Sequence, residues 1–401
     1  MKVNYDILII GGGAAGFFAA AEAGKQNPKA SIAILEASNK VLSKVLISGG
    51  GRCNVTNRIS QPDELARNYP RGHDFLIEPF RQFSSDDTQR WFTERGVRLK
   101  TEADGRVFPF SNKSTSIANT LISEVEKYGV DVRLKSRVNK ICFHENGWEI
   151  ETGTETYFTE KLVICSGSNS AIWSLCKDLG LDVIKPVPSL FTLHAQHELI
   201  RDHAGISFPE SWVKLQKGQS QSGPLLITHE GLSGPAILKL SAWEAIRFYN
   251  ENYKATIRVN WVGRTKEDLR NAIKKCQADH PKKHVHNIPL FNLSKRFWKR
   301  ICEVAQIPAQ RNYAEIGKKQ IARFEELLCD CRVEINGKST FKEEFVTAGG
   351  INLDEIDPTD FSAKRFKGLY FAGEVLNIDA VTGGFNFQAA WTGGYLIGKH
   401  I

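Results

Sequence analysis

Residues 5–10, YDILII, lead into an apolar run, Ile7–Ile10, that stops at Gly11, the texture of a parallel strand covered on both faces. Residues 17–25 (FFAAAEAGK) then read as a helix rich in small residues, and 30–36 (ASIAILE) as a second buried strand, so the chain opens on a β-α-β unit. Residues 114–128 set Ile117, Leu121, Ile122 and Val125 at helical spacing behind Ser and Thr capping candidates. From 130 to 164 apolar and polar positions alternate around turn signals at Glu145-Asn146-Gly147 and Thr152-Gly153. That pattern predicts a small antiparallel meander ending in the strand KLVIC, with a short helix after it in AIWSLCKDLG.

Beyond Pro186 the texture changes to proline-spaced strands (SLFTLHA, WVKLQ, GPLLITHEG) and then to a charged, mostly helical stretch from Thr265 to about Cys331, broken by Pro281, Pro289 and Pro308. Buried-strand texture returns near Val346 and in GLYFAGEV, followed by a glycine pair and an apolar helix. The fold class expected is α/β, a Rossmann-like domain built from both chain ends (1–188 and 346–401). An inserted domain at 189–345 is β-rich over 189–262 and helical over 263–335.

Composition narrows this picture. The 401 residues exceed what one simple core holds, and 41% hydrophobic, 24% charged and 33 glycines describe a globular chain. The N-terminal apolar run is too short for a signal segment or a bilayer span, so a cytoplasmic protein with no membrane partner is expected. Eight scattered cysteines form neither a C-x-x-C pair nor a His/Cys cluster of zinc spacing, so reduced thiols and no metal are expected. The net charge of +8 is uneven: residues 190–345 hold 25 basic and 17 acidic residues, which leaves 28 of each elsewhere. A charge excess confined to one domain points to a partner.

Candidate chemistry begins at Gly11-Gly12-Gly13-Ala14-Ala15-Gly16, a G-x-G-x-x-G between strand and helix, with Glu36 closing the next strand 20 residues beyond Gly16. Gly11 allows the tight turn, Gly13 lets backbone approach a pyrophosphate, and Gly16 lets helix pack on strand. Glu36 can accept from ribose hydroxyls of either FAD or NAD. The C-terminal GLYFAGEVLNIDAVTGGFNFQAA favours FAD. A strand ends there in Ala372-Gly373-Glu374, and Gly383-Gly384 opens a helix through Phe385, Asn386 and Phe387, a second positive helix end for the flavin pyrimidine. With no second glycine fingerprint, NADH or NADPH would dock only transiently as reductant.

The chain resembles the BaiN/RdsA-like FAD-dependent oxidoreductases, the aminoacetone-oxidase-like flavoproteins. The resemblance rests on GGGAAG at 11–16, Lys44 with ISGGGRCNVTN, DGRVFPFSNKS at 104–114, THEGLSGPAIL at 228–238, VTAGGINLDEID at 346–357 and GLYFAGEVLNIDAVTGGFNFQAAW at 368–391. It implies a two-part FAD domain with a barrel-like plus helical insert, and it places Lys44, Gly49, Gly50, Gly51 and Asn54 along the flavin, with Cys53 near its ring. Val138, Ser166 and Gly167 complete the expected cofactor set. Where the family carries a second glycine pair and a longer loop after the strand KLVIC, this chain has only Ser166-Gly167-Ser168-Asn169. Family activities include reduction of conjugated double bonds in sterol-like enones and of uracil in ribosomal RNA.

For such a reduction an acid must protonate one carbon. Cys53 is the candidate, since a thiol is protonated at neutral pH; its alternative is a small residue packed beside the cofactor. Arg52 is a candidate to orient an anionic group or to make a structural ion pair, and Arg106 is similar. In the insert, KKHVHN (282–287), KRFWKR (295–300) and RNYAEIGKK (311–319) interleave cations with Phe297, Trp298 and Tyr313, so the basic stretch 264–319 is a candidate RNA surface, its aromatics stacking on bases or forming core. The leading expectation is an FAD enzyme reducing uracil in structured RNA to dihydrouridine. The alternatives are a reductase or oxidase of a small enone or carbonyl metabolite, and a flavin-binding redox sensor.

Overall fold

A computed structural model describes residues 2–339 and 346–401, and the chain divides into two compact units, Met1–Val187 with Val346–Ile401 and Pro188–Phe345. The last stretch of the expected insert, 340–345, lies outside the described residues.

The first unit is organised by a seven-stranded sheet. Its parallel part runs Asp131–Arg133, Ile32–Leu35, Lys2–Ile10, Thr156–Ile164, Leu369–Phe371, which is chain order third, second, first, fourth, fifth. That order defines a Rossmann-type dinucleotide fold, with its ligand crevice at the carboxyl ends of the strands. Strand Thr156–Ile164 has two partners on one side. Its first half pairs antiparallel with Gly147–Thr152, which continues to Val138–His144, and its last three residues pair parallel with Leu369–Phe371. The expected meander and the final strand thus meet on one scaffold. The four positions Ile7–Ile10 are buried, as are all four of Ile32–Leu35, as strands covered on both faces require.

Helix Ala14–Gln26 follows the first strand, Thr115–Lys127 precedes the third, and Phe385–His400 ends the chain. The cap expected of Ser114 is absent: its hydroxyl donates to Leu46 O at 2.7 Å, tying helix Thr115–Lys127 to the glycine-rich stretch. A small sheet of Thr56–Asn57, Arg106–Pro109 and Leu99–Thr101 completes the part of this unit that concerns the site.

The second unit is a closed six-stranded antiparallel barrel in the order Leu193–Gln196, Gly231–Ser233, Ser220–Ile227, Ser207–Leu215, Ala255–Asn260, Cys331–Lys338. Val213, Leu225, Ile257, Val333 and Ile335 belong to the apolar core it shares with its helices. One expected boundary needs correction, and one segment holds more than strands. The β-rich segment contains helices Pro235–Trp243 and Ala245–Asn250, and the helical segment ends at Cys329, after which Cys331–Lys338 is a barrel strand. The physical reason is closure: the barrel's sixth strand is needed to pair both Leu193–Gln196 and Ala255–Asn260, so the chain returns to the sheet after its helices. No helix of the described residues is long and apolar enough to cross a membrane.

Candidate cofactor site

The turn after the first strand gives each glycine its own physical reason. Gly11 has φ +111°, donates its N–H to Leu35 O at 2.9 Å, and a Cβ there would stand 2.4 Å from Cys165 O. A Cβ on Gly16 would come within 2.1 Å of Gly11 O, so the helix reaches the strand only without a side chain. Gly13 caps helix Ala14–Gln26, and no atom lies within 4 Å of where its Cβ would be. Bare backbone therefore faces open space at the positive end of a helix whose first turn, from Ala14 and Ala15 on, holds no acid. That is the environment an anionic pyrophosphate requires.

Glu36 accepts from Gly12 N–H at 2.8 Å and from Ser38 N–H at 2.7 Å. A carboxylate offers about four acceptor positions, so capacity remains for ribose hydroxyls. Gly11, Glu36, Val138 and Ser166 line one pocket together with Asn169 and Ile172. The short loop Ser166-Gly167-Ser168-Asn169 is used up in capping: Asn169 Oδ1 accepts from Ala171 N at 3.0 Å and Ile172 N at 3.3 Å, starting helix Ser170–Asp178 directly at the pocket wall. Gly167 has φ +61°.

The stretch Ser43–Gly51 begins as a helix and breaks at Ser48, ψ 150°, after which Gly49, Gly50 and Gly51 all take positive φ. Gly49 lies against Asn54 N and Phe108 Cε1, while no atom comes within 4 Å of a Cβ on Gly50 or Gly51. The residues that follow bind the C-terminal helix start. With its amide oriented by its neighbours, Asn54 accepts from Gly384 N at 2.8 Å and donates to Thr56 O and Val107 O. Asn57 Nδ2 donates to Gly383 O at 3.0 Å, and Thr56 Oγ1 donates to Gln388 Oε1 at 2.6 Å in a buried chain that continues through Thr392 to Phe83 O. Gly384, φ +91°, has Thr56 O 2.4 Å from its Cβ position. Asn386 folds back on Ala380 through both its amide atoms, Tyr69 OH donates to Phe385 O at 2.6 Å, and Phe387 stacks on Trp391. Helix Phe385–His400 also carries no acid in its first turn. Gly373, φ +79°, brings the end of the fifth strand to Ala15.

Several of the expected residues have partners within the protein. Lys44 and Glu374 form an ion pair with each other, and Glu374 also accepts from Thr347 N at 2.9 Å. Arg52 donates to Glu102 at 2.7 Å and lies 4.0 Å over the Phe108 ring, while Arg106 bonds Glu102 and Asp104; both arginines have structural partners. Cys53 is 0% exposed at φ +59°, its N–H donating to Ser48 O, and burial pushes its thiol up to about 12. The thiol is thus neutral at physiological pH and closed off from solvent, an environment that suits a small packed residue better than a proton donor. In the second unit Phe297, Trp298 and Tyr313 are not base-stacking surface: all three are buried, Trp298 Nε1 bonding Val285 O and Tyr313 OH bonding Ile288 O at 2.7 Å each. Thr56, Asn57, Tyr69 and Gln388 were not anticipated. For Thr56, Asn57 and Gln388 the one signal in the sequence is a polar side chain among apolar or glycine-rich neighbours, and Tyr69, in the polar stretch ARNYPRGHD, carries none.

The residues fit FAD: glycine backbone open at Gly13, Gly50 and Gly51, two acid-free helix starts, and a carboxylate with spare acceptor capacity. Fold and site together define a flavin-dependent oxidoreductase of the Rossmann type. The chain belongs to the family described as HI0933-like protein Rossmann domain, which matches residues 5–400. It is 30% identical to the ribosomal RNA dihydrouridine synthase of Escherichia coli (strain K12), covering 99% of this chain and 98% of that one. It is 25% identical to a 3-dehydro-bile acid delta(4,6)-reductase of Clostridium scindens, covering 98% of each. Among solved structures it is similar in fold to a 3-ketosteroid-delta4-(5alpha)-dehydrogenase of Rhodococcus jostii RHA1, with TM-score 0.53, 11% identity, and 99% and 96% of the two chains covered.

Proposed function

We propose that this chain reduces the C5–C6 double bond of uracil in structured, ribosomal RNA, giving dihydrouridine, with NADH or NADPH docking transiently as the reductant. Bound FAD supplies the two-electron chemistry. The chain's own residues would hold the phosphates at the bare backbone of Gly13 and the start of helix Ala14–Gln26, which the tight turn at Gly11 presents, and the ribose at Glu36. The start of helix Phe385–His400 favours negative charge on the pyrimidine side of the ring. Saturating the bond takes two electrons and two protons. Buried Cys53 is a poor proton donor, and Arg52, which is bonded to Glu102 and always charged, would orient an anionic or carbonyl group and not give up a proton.

The observation that carries the RNA reading is how the insert's cations are held. Arg264, Arg270, Arg300, Arg311 and Arg323 each pair with a carboxylate. Lys274, Lys275, Lys282, Lys283, Lys318 and Lys319 are exposed, and none has a carboxylate within 4.0 Å among the described residues. They lie on neighbouring segments, joined by Gln277 Nε2 to Ile316 O at 2.9 Å and by Ala314 N to Pro281 O at 3.1 Å. Bare lysines on a domain that holds the whole charge excess suit a phosphate backbone. The full-length similarity to the Escherichia coli enzyme supports the same substrate.

The test is anaerobic stopped-flow re-oxidation of the reduced enzyme by ribosomal RNA from cells lacking this gene, with mass mapping for a gain of two hydrogens. The reading predicts re-oxidation and a new dihydrouridine. The similarity to the bile acid reductase favours a second reading, reduction of a small conjugated enone. Re-oxidation by a steroid enone and not by RNA would establish that one instead.

A further inference from the structure

The aromatics expected to stack on bases are core, but another aromatic is exposed. Phe110 follows strand Arg106–Pro109 and is 56% exposed, a costly position for a phenyl ring in water. The Arg98 guanidinium lies 4.6 Å from its ring centroid, and Phe110 N–H donates to Arg98 O at 2.8 Å, so backbone pairing fixes ring and cation together. Arg98 is itself exposed and, among the described residues, has no carboxylate within 4.0 Å, unlike Arg52 and Arg106. Lys100, on the strand beside it, and Lys113, on the following turn, also lack an ion pair among the described residues.

This surface adjoins the bare glycine backbone. Ser114, four residues beyond Phe110, takes its N–H to Gly51 O at 2.9 Å and its hydroxyl to Leu46 O at 2.7 Å. Ile47, in that same stretch, is 55% exposed. An open ring, a guanidinium stacked on it and two further free cations form an arrangement that a membrane or a purely acidic partner would use only in part. A ring offers a face to any base, and the cations offer contacts to the phosphates on either side of it.

We propose that Phe110 and Arg98 form a platform on which one unpaired base of the RNA stacks, with Arg98, Lys100 and Lys113 taking adjacent phosphates. The proposal rests on the RNA reading above and adds the recognition element within the FAD-binding unit. Its test is equilibrium binding of the FAD-loaded protein to a fluorescent RNA stem–loop with uridines in the loop. Phe110→Ala, Phe110→Leu, Phe110→Trp and Arg98→Glu are compared with wild type, each variant first checked for flavin absorbance. Phe110→Ala and Phe110→Leu are expected to weaken binding about 5- to 150-fold, the range that base–aromatic stacking supplies, Phe110→Trp to restore it, and Arg98→Glu to weaken it as well.

Wild-type binding by Phe110→Leu would reduce the contact to apolar bulk and overturn the proposal. So would an equal loss by Phe110→Ala toward polyglutamate, which has charge and no rings, or failure of the wild type to bind the stem–loop. Loss of binding in Phe110→Ala and Phe110→Leu, with no re-oxidation of wild-type flavin by any RNA, would leave the platform standing and remove the uracil-reduction reading.

Discussion

Gly13→Ala separates cofactor binding from folding more cleanly than any other change at the site. Gly13 has φ −95° and ψ −166°, extended backbone that alanine adopts without strain, and nothing within 4 Å of the new methyl. In the unliganded chain the substitution therefore has two small and opposed effects. Reduced freedom of the unfolded chain stabilises by about 0.4–1 kcal/mol. Alanine is a poorer N-cap than glycine, which offsets a similar amount. With FAD present, the methyl stands where the pyrophosphate must approach, and overpacking of that kind costs about 1–3 kcal/mol, or roughly 5- to 150-fold in Kd. Flavin-fluorescence titration of apoprotein, with thermal melts alongside, should show weakened binding at nearly unchanged apo stability. Gly16→Ala should do the reverse and fail to fold normally, because its Cβ would meet Gly11 O at 2.1 Å. If Gly13→Ala binds FAD within twofold of wild type, the bare face of Gly13 does not meet the ligand and the site has been placed wrongly.

Three further outcomes are expected. Thr56→Val leaves buried Gln388 Oε1 without the donor 2.6 Å away, which should cost about 1–3 kcal/mol in urea unfolding and weaken FAD; unchanged stability would mean the tie between the chain ends is incidental. Burial raises the thiols of Cys53, Cys165, Cys176, Cys302 and Cys331 from 9.0 to about 12, so between those values the unfolded chain releases protons that the folded chain keeps, and stability must fall as pH rises; a melting temperature flat from pH 9 to 11 would contradict this. Lys274→Gln, Lys275→Gln and Lys282→Gln together should lower the slope of log affinity for RNA against log salt by about 0.7–0.9 for each phosphate that these lysines neutralise, and an unchanged slope would place the RNA elsewhere.

The parts legible in the sequence are those where a single requirement acts over a few adjacent residues. Strands buried on both faces need continuous apolar runs, hence the residues from Ile7 to Ile10 and from Ile32 to Leu35, and a helix that must touch a strand needs Gly16. The KRFWKR segment misleads for the opposite reason. Read as a charge run it looks like nucleic-acid surface, yet Phe297, Trp298, Ile301 and Cys302 form one apolar helical face, and all four are buried in helix Lys295–Val304. Strand Cys331–Lys338 was hidden by the helix directly before it, although its first six positions alternate buried and exposed. The bonds of Asn54 to Gly384 and of Thr56 to Gln388 join residues some 330 positions apart, and neither residue's neighbours announce a partner. Lys44, Glu374 and Arg52 show the remaining difficulty. A charged side chain beside a ligand site can hold the ligand or hold another charge, and its position in the sequence is the same in both cases.

The two helices with acid-free starts, Ala14–Gln26 and Phe385–His400, also pack directly on each other, and glycine determines how closely. Along helix Phe385–His400, a Cβ on Gly394 would stand 2.8 Å from Ala15 O, and one on Gly398 would stand 2.8 Å from Ala19 O and 2.5 Å from Glu22 Cβ. A Cβ on Gly393 would press on Ala372 and Phe361 at 3.0 and 3.2 Å, against the end of the fifth strand. Helix Ala14–Gln26 answers with the small residues Ala15, Ala19 and Ala23. Backbone approaches backbone along the contact, so no side chain of intermediate size can let one helix drift from the other. Asn54, Thr56 and Asn57 then fix the start of the C-terminal helix to the glycine stretch. The fold therefore spends its glycines on two different tasks. Gly13, Gly50 and Gly51 leave open space beside the backbone, whereas Gly16 brings its helix onto the first strand and Gly394 and Gly398 bring the two helices onto each other. The register of this contact, Gly394 against Ala15 and Gly398 against Ala19, fixes where the start of one helix stands relative to the start of the other.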